Sequence, residues 1–295
     1  MNRREFHIRL AAAAAALACL PATARAGSAR TARGRQAAGA AHDAAMTRFM
    51  EDLAQGDPAA LEAMQRERRI AMLAYPGMFP LDLLGPHAVF TGLMNTRVHI
   101  VWKDRTPISD MPGLNIVPNV TFTDCPDHID VLFVPGGGMG TIAVMRDREV
   151  LNFLRRQAAT ARYVTSVCTG ALVLGAAGLL KGYRATTYWA VHDLLPLLGA
   201  KPVRARLVED RNRITAGGVT AGIDFGLLLA AQLAGENYTK ALQLNIEYDP
   251  APPFDAGSPE SVGEPVAGAM RTMYAEIVEA ARRAAEQTGL GSGPP

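Results

Sequence analysis

The chain is poor in the residues that usually announce a small secreted scaffold, a membrane protein or a nucleic-acid binder. It has three cysteines in 295 residues, too few for a disulfide framework. Aromatic residues make up 6 % and tryptophan occurs twice. The net charge is +2, and the basic residues are scattered rather than striped, which argues against a nucleic-acid surface. The longest apolar run, residues 10–20, is about half the ~20 residues that a spanning helix needs. What is plentiful is ordinary globular material: 49 % hydrophobic and 20 % charged residues, which excludes a disordered chain.

The charge is unevenly placed. Residues 1–26 carry Arg3, Arg4, Arg9 and Arg25 against Glu5 alone. Arg3-Arg4-Glu5-Phe6 is a twin-arginine start, residues 10–20 have the length of a signal h-region, and Ala24-Arg25-Ala26 offers a cleavage site, with Ala22-Thr23-Ala24 as a second. We therefore expect a twin-arginine signal peptide over 1–26, a periplasmic mature protein and no stable membrane insertion after cleavage. The mature chain has 26 basic and 27 acidic residues, so the apparent excess of positive charge belongs to the signal. Cys19 leaves with the signal, and Cys125 and Cys168 remain.

Residues 27–41 read as a tether. Met46, Phe49, Met50 and Leu53 form a helical stripe, and Gly56-Asp57-Pro58 breaks it and starts a second helix with Asp57 as N-cap. Residues 27–69 thus form a tether and helical extension. From Ile70 onward, strand-length apolar runs (70–75, 98–102, 131–135, 163–168) alternate with helical patterns such as 150–162. That alternation predicts a parallel sheet with helices on both faces. Segments 114–120 and 203–208 with 214–216 read as further strands or hairpins, with Asp210-Arg211-Asn212 as the turn of the latter pair. Helices are expected at 221–234, stopped by Gly235, at 237–248, and at 265–287.

Three features carry chemistry. In Tyr163-Val164-Thr165-Ser166-Val167-Cys168-Thr169-Gly170, a strand ends on a cysteine and a small-residue helix starts at once. This is a strand–nucleophile–helix elbow, and a helix N-terminus there should lower the thiol pKa. A buried inert cysteine is the plain alternative. Second, Asp82 stands among apolar residues in Leu81-Asp82-Leu83-Leu84-Gly85-Pro86. It is either an N-cap or a desolvated carboxyl that can hold and pass a proton. Third, Pro135-Gly136-Gly137-Gly138 follows a strand, where glycine N–H groups can face a developing negative charge. An N–H from Gly137 and one from Thr169 should converge there. Of the five remaining histidines, His42, His87, His99, His128 and His192, none directly follows Cys168, and His87 and His192 read as surface or capping residues rather than as a base. No cluster has metal-ligand spacing and no phosphate-loop pattern is present.

Together these segments resemble the ThiJ/PfpI superfamily of class I glutamine amidotransferase-like domains, and within it the isocyanide (isonitrile) hydratases. The resemblance runs over 70–259 and leaves 260–295 as a C-terminal helix and tail. It rests on LDLLGPH (81–87), DCP (124–126), VPGG (134–137), RYVTSVCTGALVLGAAGLLKG (162–182), RATT (184–187), TAGIDF (220–225) and EYDPAPPFDAGSP (247–259). It implies an α/β, flavodoxin-like three-layer sandwich with a mostly parallel central sheet, and a homodimer. It implies Cys168 as nucleophile, Asp82 as partnering acid, Thr169 as the neighbour whose N–H faces the adduct, a small-molecule substrate and no cofactor. Departures from the family pattern narrow the activity. Thr169 replaces the histidine that follows the cysteine in PfpI-type peptidases. Tyr188 replaces the histidine of the glutaminase triad, which makes Tyr188 and Trp189 pocket candidates. Leu84 stands where hydratases often have threonine. The short C-terminal remainder and the export signal argue against a DNA-binding regulator. The expected activity is hydration of isocyanides, with two alternatives: a glyoxalase- or deglycase-type hydratase of reactive carbonyls, and a periplasmic ligand or oxidant sensor.

Overall fold

The computed structural model describes residues 43–111 and 114–291. The expected signal peptide and most of the tether lie outside these residues. Contacts divide the chain into a unit ending at Phe49 and a unit from Met50 to Pro295. In the first unit, the described residues 43–49 are helical, and Thr47 Oγ1 donates to the Asp43 carbonyl at 2.9 Å. The rest concerns the second unit.

Its central strands are apolar at almost every position and buried on both faces, the signature of a parallel sheet covered by helices on each side. The strands are β1 (Arg68–Leu73), β2 (Thr96–Trp102), β3 (Val120–Thr121), β4 (Val131–Val134), β5 (Tyr163–Val167), β6 (Leu207–Asp210) and β7 (Arg213–Ala216). They form one seven-stranded sheet in the order β6-β7-β5-β4-β1-β2-β3. Every neighbouring pair is parallel except β6 with β7. The expected α/β sandwich with a mostly parallel sheet is therefore the observed fold. Order reverses beside β1 and β4, which places a crevice at the carboxyl ends of the central strands, where open α/β sheets bind ligands.

The helices are α1 (Pro58–Gln65), α2 (Pro80–Phe90), α3 (Met139–Met145), α4 (Arg148–Ala158), α5 (Gly170–Ala176), α6 (Ala221–Ala234), α7 (Glu236–Asn245) and α8 (Glu264–Glu286), with a 3-10 helix at Trp189–Leu198 and a short turn at Pro259–Val262. Helix α1 starts as its sequence predicts, with Asp57 Oδ1 accepting from Ala59 N and Pro58 in the first turn. Helix α6 has the predicted bounds because Gly235, at φ +90°, ends it.

Both regions expected as strands or hairpins contain a hairpin, but with other bounds. Residues 114–120 are not one strand. Leu114–Ile116 pairs with Ile108–Met111 in a separate hairpin, and Val120–Thr121 joins the main sheet. Pro118 lies between them and cannot donate to a ladder. Residues 203–208 contribute only from Leu207, while Lys201–Pro202 pairs with Arg184–Ala185.

Candidate active site

The elbow is present and under backbone strain. Strand β5 ends at Val167, α5 begins at Gly170, and Cys168 between them has φ +56°. A non-glycine residue there costs roughly 1–2 kcal/mol, so the surroundings must hold it. They do: the Cys168 N–H donates to the carbonyls of Ala216 (3.1 Å) and Gly217 (2.8 Å), and Thr187 Oγ1 donates to the Cys168 carbonyl at 2.8 Å. Gly170 permits the tight turn, because a side chain on it would stand 2.8 Å from the Pro135 carbonyl oxygen.

The sulfur is buried, and the backbone N–H groups of Thr169 and Val219 hydrogen-bond to it. Contrary to the expectation of a lowered thiol pKa, the Cys168 pKa is raised well above the ordinary value. Burial is the main cause and the nearby Asp82 charge the second; the two N–H groups offset them only in part. Helix α5 has only seven residues, too short a dipole to overcome both.

Asp82 is not an N-cap. It lies in the first turn of α2 after the N-cap residue Phe79, and it is fully buried. Its Oδ2 accepts from the Gly136 N–H at 2.9 Å, while Oδ1 has no aligned hydrogen-bond partner. Burial raises its pKa to about 6, against the Gly136 N–H and the Cys168 thiol, which both favour the ionised form. The structure thus brings Asp82 and Cys168 together.

The glycine loop locks this arrangement. A Cβ on Gly136 would lie 2.5 Å from Thr169 N, 2.7 Å from Thr169 Oγ1 and 2.8 Å from Asp82 Oδ2. Gly137 does not offer a free N–H to the site as expected; it donates to Thr169 Oγ1 at 2.9 Å. Thr169 Oγ1 also lies 2.8 Å from the Gly137 carbonyl and 2.7 Å from Thr141 Oγ1, and the Tyr75 hydroxyl donates to the Pro135 carbonyl at 2.8 Å. Gly138 is exposed at the N-cap of α3, and its nearest neighbour would be Ile277 Cδ1 at 3.8 Å. The second N–H at the sulfur is therefore that of Val219, which the sequence reading missed. Tyr75 and Thr141 carry no signal in the sequence; Gly136 is visible in the glycine run, but its pairing with Asp82 is not.

Tyr188 and Trp189 stand together with ring centroids 5.6 Å apart, and Tyr274 of α8 meets both, at 5.6 and 6.1 Å. The expectation that His192 is a surface or capping residue is corrected: it is buried in the 3-10 helix, and neither ring nitrogen has a hydrogen-bond partner. Cys125 is buried and free, as is Cys168. Among the described residues, no group of three His, Cys, Asp or Glu gathers as a metal site. Among them too, no helix is long and apolar enough to cross a membrane.

Residues 68–232 match the family model described as the DJ-1/PfpI family. The chain is 51 % identical over 226 residues to the isonitrile hydratase of Pseudomonas putida, covering 75 % of this chain and 98 % of that one. It is 28 % identical over 121 residues to a deglycase of Pyrococcus horikoshii, covering 41 % of this chain and 72 % of the relative. Among solved structures, a THiJ/PfpI family protein from Pseudomonas syringae superposes with a TM-score of 0.74 at 49 % identity, over 75 % of this chain and 92 % of that one.

Proposed function

The chain belongs to the DJ-1/PfpI family, and from that premise we propose that it is a cysteine-dependent hydratase that converts isocyanides to N-substituted formamides. The observation that carries the reading is the buried Asp82–Cys168 pair, set in a chain that matches a curated isonitrile hydratase over 98 % of that protein's length.

The pair suits an uncharged, weakly polar substrate. The thiol rests protonated and the carboxyl is ionised above about pH 6. Asp82 takes the thiol proton as sulfur bonds to the terminal carbon of R–N≡C. It then delivers that proton to the same carbon, giving the thioimidate R–N=CH–S–Cys168. Water adds to the C=N carbon and a proton passes to nitrogen. The C–S bond breaks, R–NH–CHO leaves, and the sulfur recovers its proton. The N–H groups of Thr169 and Val219 hold negative charge that develops on sulfur. Tyr188 and Trp189 line the pocket, and Gly137, whose N–H is held by Thr169 Oγ1, shapes the loop rather than donates to the adduct.

The test is formamide release from a model isocyanide by the purified protein. Wild type should turn over and Cys168→Ala should not; equal rates would overturn the reading. Methylglyoxal is run beside it, since the deglycase likeness makes reactive carbonyls the competing substrate class. Consumption of methylglyoxal alone would favour that competitor.

Two further expectations enter the proposal. Phe79, Leu81 and Leu84 around the start of α2, and Met139 at the start of α3, are exposed apolar residues that a homodimer would cover. A monomer mass by light scattering would contradict this. Export by the twin-arginine route is tested by fractionating cells that carry Arg3→Lys/Arg4→Lys, which should retain the protein in the cytoplasm.

A further inference from the structure

The chain has few aromatic residues, and one group of them belongs to the core. Phe90, Phe133, Phe153 and Phe225 are buried and pack against one another or against Phe122. Tyr188, Trp189 and Tyr274 form a second, partly exposed cluster, and Tyr188 brings it within electrostatic reach of the Cys168 thiol. Tyr188 stands against Gly218, where a Cβ would lie 3.0 Å from its ring. Gly218 adjoins Val219, whose N–H faces the sulfur.

Helix α8 supplies the third ring. Its buried positions are alanines (Ala267, Ala281, Ala284, Ala285), so the helix lies close against its neighbours. Tyr274 and Ile277, three residues apart, share a face. Tyr274 reaches Tyr188 and Trp189, and Ile277 reaches towards Gly138. The helix therefore bridges the two segments that flank the Asp82–Cys168 pair. The rings meet edge to face, at 76° for Tyr188–Tyr274 and 83° for Trp189–Tyr274. That geometry leaves ring faces and edges for a further aromatic group. Helix α8 lies beyond residues 68–232, so this wall is built partly outside the segment that the family model describes.

We propose that Tyr274 is a specificity-determining residue, which with Tyr188 and Trp189 forms a pocket for the nitrogen substituent and selects isocyanides carrying an aryl or arylmethyl group over short alkyl ones. The proposal rests on the hydratase reading for its substrate, but the pocket can be tested without it.

The first arm compares kcat/KM for benzyl isocyanide and methyl isocyanide. The benzyl-to-methyl ratio should fall about tenfold in Tyr274→Ala, the loss of roughly one aromatic contact. It should stay within about twofold of wild type in Tyr274→Phe, which keeps the ring. A second arm measures alkylation of Cys168 by N-benzyl iodoacetamide and by iodoacetamide, and its rate ratio should respond to Tyr274 in the same way. Melting curves identify any variant that fails to fold, and Tyr274→Leu then replaces Tyr274→Ala. If both ratios are unchanged in the variant, the pocket assignment is overturned, whether or not isocyanides turn over. If neither isocyanide turns over but the alkylation ratio falls with Tyr274→Ala, the pocket stands and the hydratase reading fails.

Discussion

Asp82 and Cys168 act on one another's protons in opposite senses. The carboxylate opposes ionisation of the thiol, while the thiol favours the ionised carboxyl. Above about pH 6 the pair thus holds one proton on sulfur and one negative charge on oxygen. A sulfur of this kind is a nucleophile only when the carboxylate takes its proton. For isocyanide hydration, kcat/KM should rise as pH increases through about 6 and then level, because the ionised carboxyl is the required form. In Asp82→Asn the rise should vanish, and the rate should drop by about 10²–10⁴. A wild-type profile that falls through this range would mean that the protonated carboxyl is the working form.

The same carboxyl links stability to pH. Its folded pKa is about 6, above the ordinary 3.8, so the fold is weakened as the group ionises. That weakening is absent below about pH 3.8 and complete above about 6. Asp82→Asn cannot ionise. Whatever constant cost its amide brings, stability relative to wild type should shift in favour of the variant by about 3 kcal/mol between pH 3.8 and 7. Denaturant unfolding of both proteins at a series of pH values measures the shift, and a flat difference would mean that the carboxyl is not strained by burial.

The pair depends on Gly136. A methyl group there would press on Thr169 N, Thr169 Oγ1 and Asp82 Oδ2 at once; the first is backbone, and the other two are buried and held by hydrogen bonds. Gly136→Ala should therefore cost about 1–3 kcal/mol of stability. It should also lower hydratase activity by more than its loss of stability explains. Assays well below the melting temperature separate the two effects. Full activity in a folded Gly136→Ala protein would show that the loop can move without disturbing the carboxyl.

Thr169 contributes a side chain as well as an N–H. Its hydroxyl accepts from Gly137 N–H, which is why that N–H is absent from the site. Thr169→Val keeps the shape and the backbone N–H at the sulfur but removes the acceptor. The Gly137 N–H is then buried without a partner, at a cost of about 1–3 kcal/mol. Activity should fall less than in Cys168→Ala, since the N–H directed at sulfur remains. Parallel melting and rate measurements on the two variants check the order.

The sequence made the chemistry more legible than its support. Cys168 stood out because an apolar strand met a small-residue helix on it, and Asp82 because a carboxylate is rare in an apolar run. Those are local signals. The partner of the Gly137 N–H lies 32 residues away and that of Asp82 Oδ2 54 away, so neither appears in any periodic pattern. Tyr274 meets Tyr188 only through helix α8 folding back over the site, and no spacing rule links the two. The thiol pKa departs from the helix-start expectation for a related reason. A helix start is visible in sequence, but the burial and neighbouring charge that outweigh it are properties of the assembled sheet edge.

Far from the site, Arg68 provides a check on the scaffold itself. Its side chain is almost fully buried at the start of β1. It donates to the carbonyls of Arg66 (2.9 Å), Leu233 (2.7 Å), Met94 (3.4 Å) and Ala63. Ala63 lies in α1 and Leu233 in the last turn of α6, so one guanidinium satisfies carbonyls near the ends of two helices and the loop before β2. Burial lowers its pKa, and the Asp130 charge partly offsets this. Arg68→Met fills similar space but leaves these buried carbonyls without donors. It should destabilise the protein by several kcal/mol, at about 1–3 kcal/mol for a buried carbonyl left without a donor. Arg68→Lys should recover only part of this, because an ammonium cannot span four carbonyls arranged around a planar fork. Urea unfolding gives both values. If Arg68→Met were as stable as wild type, the helix ends would have to find water instead, and β1 would not need its buried cation.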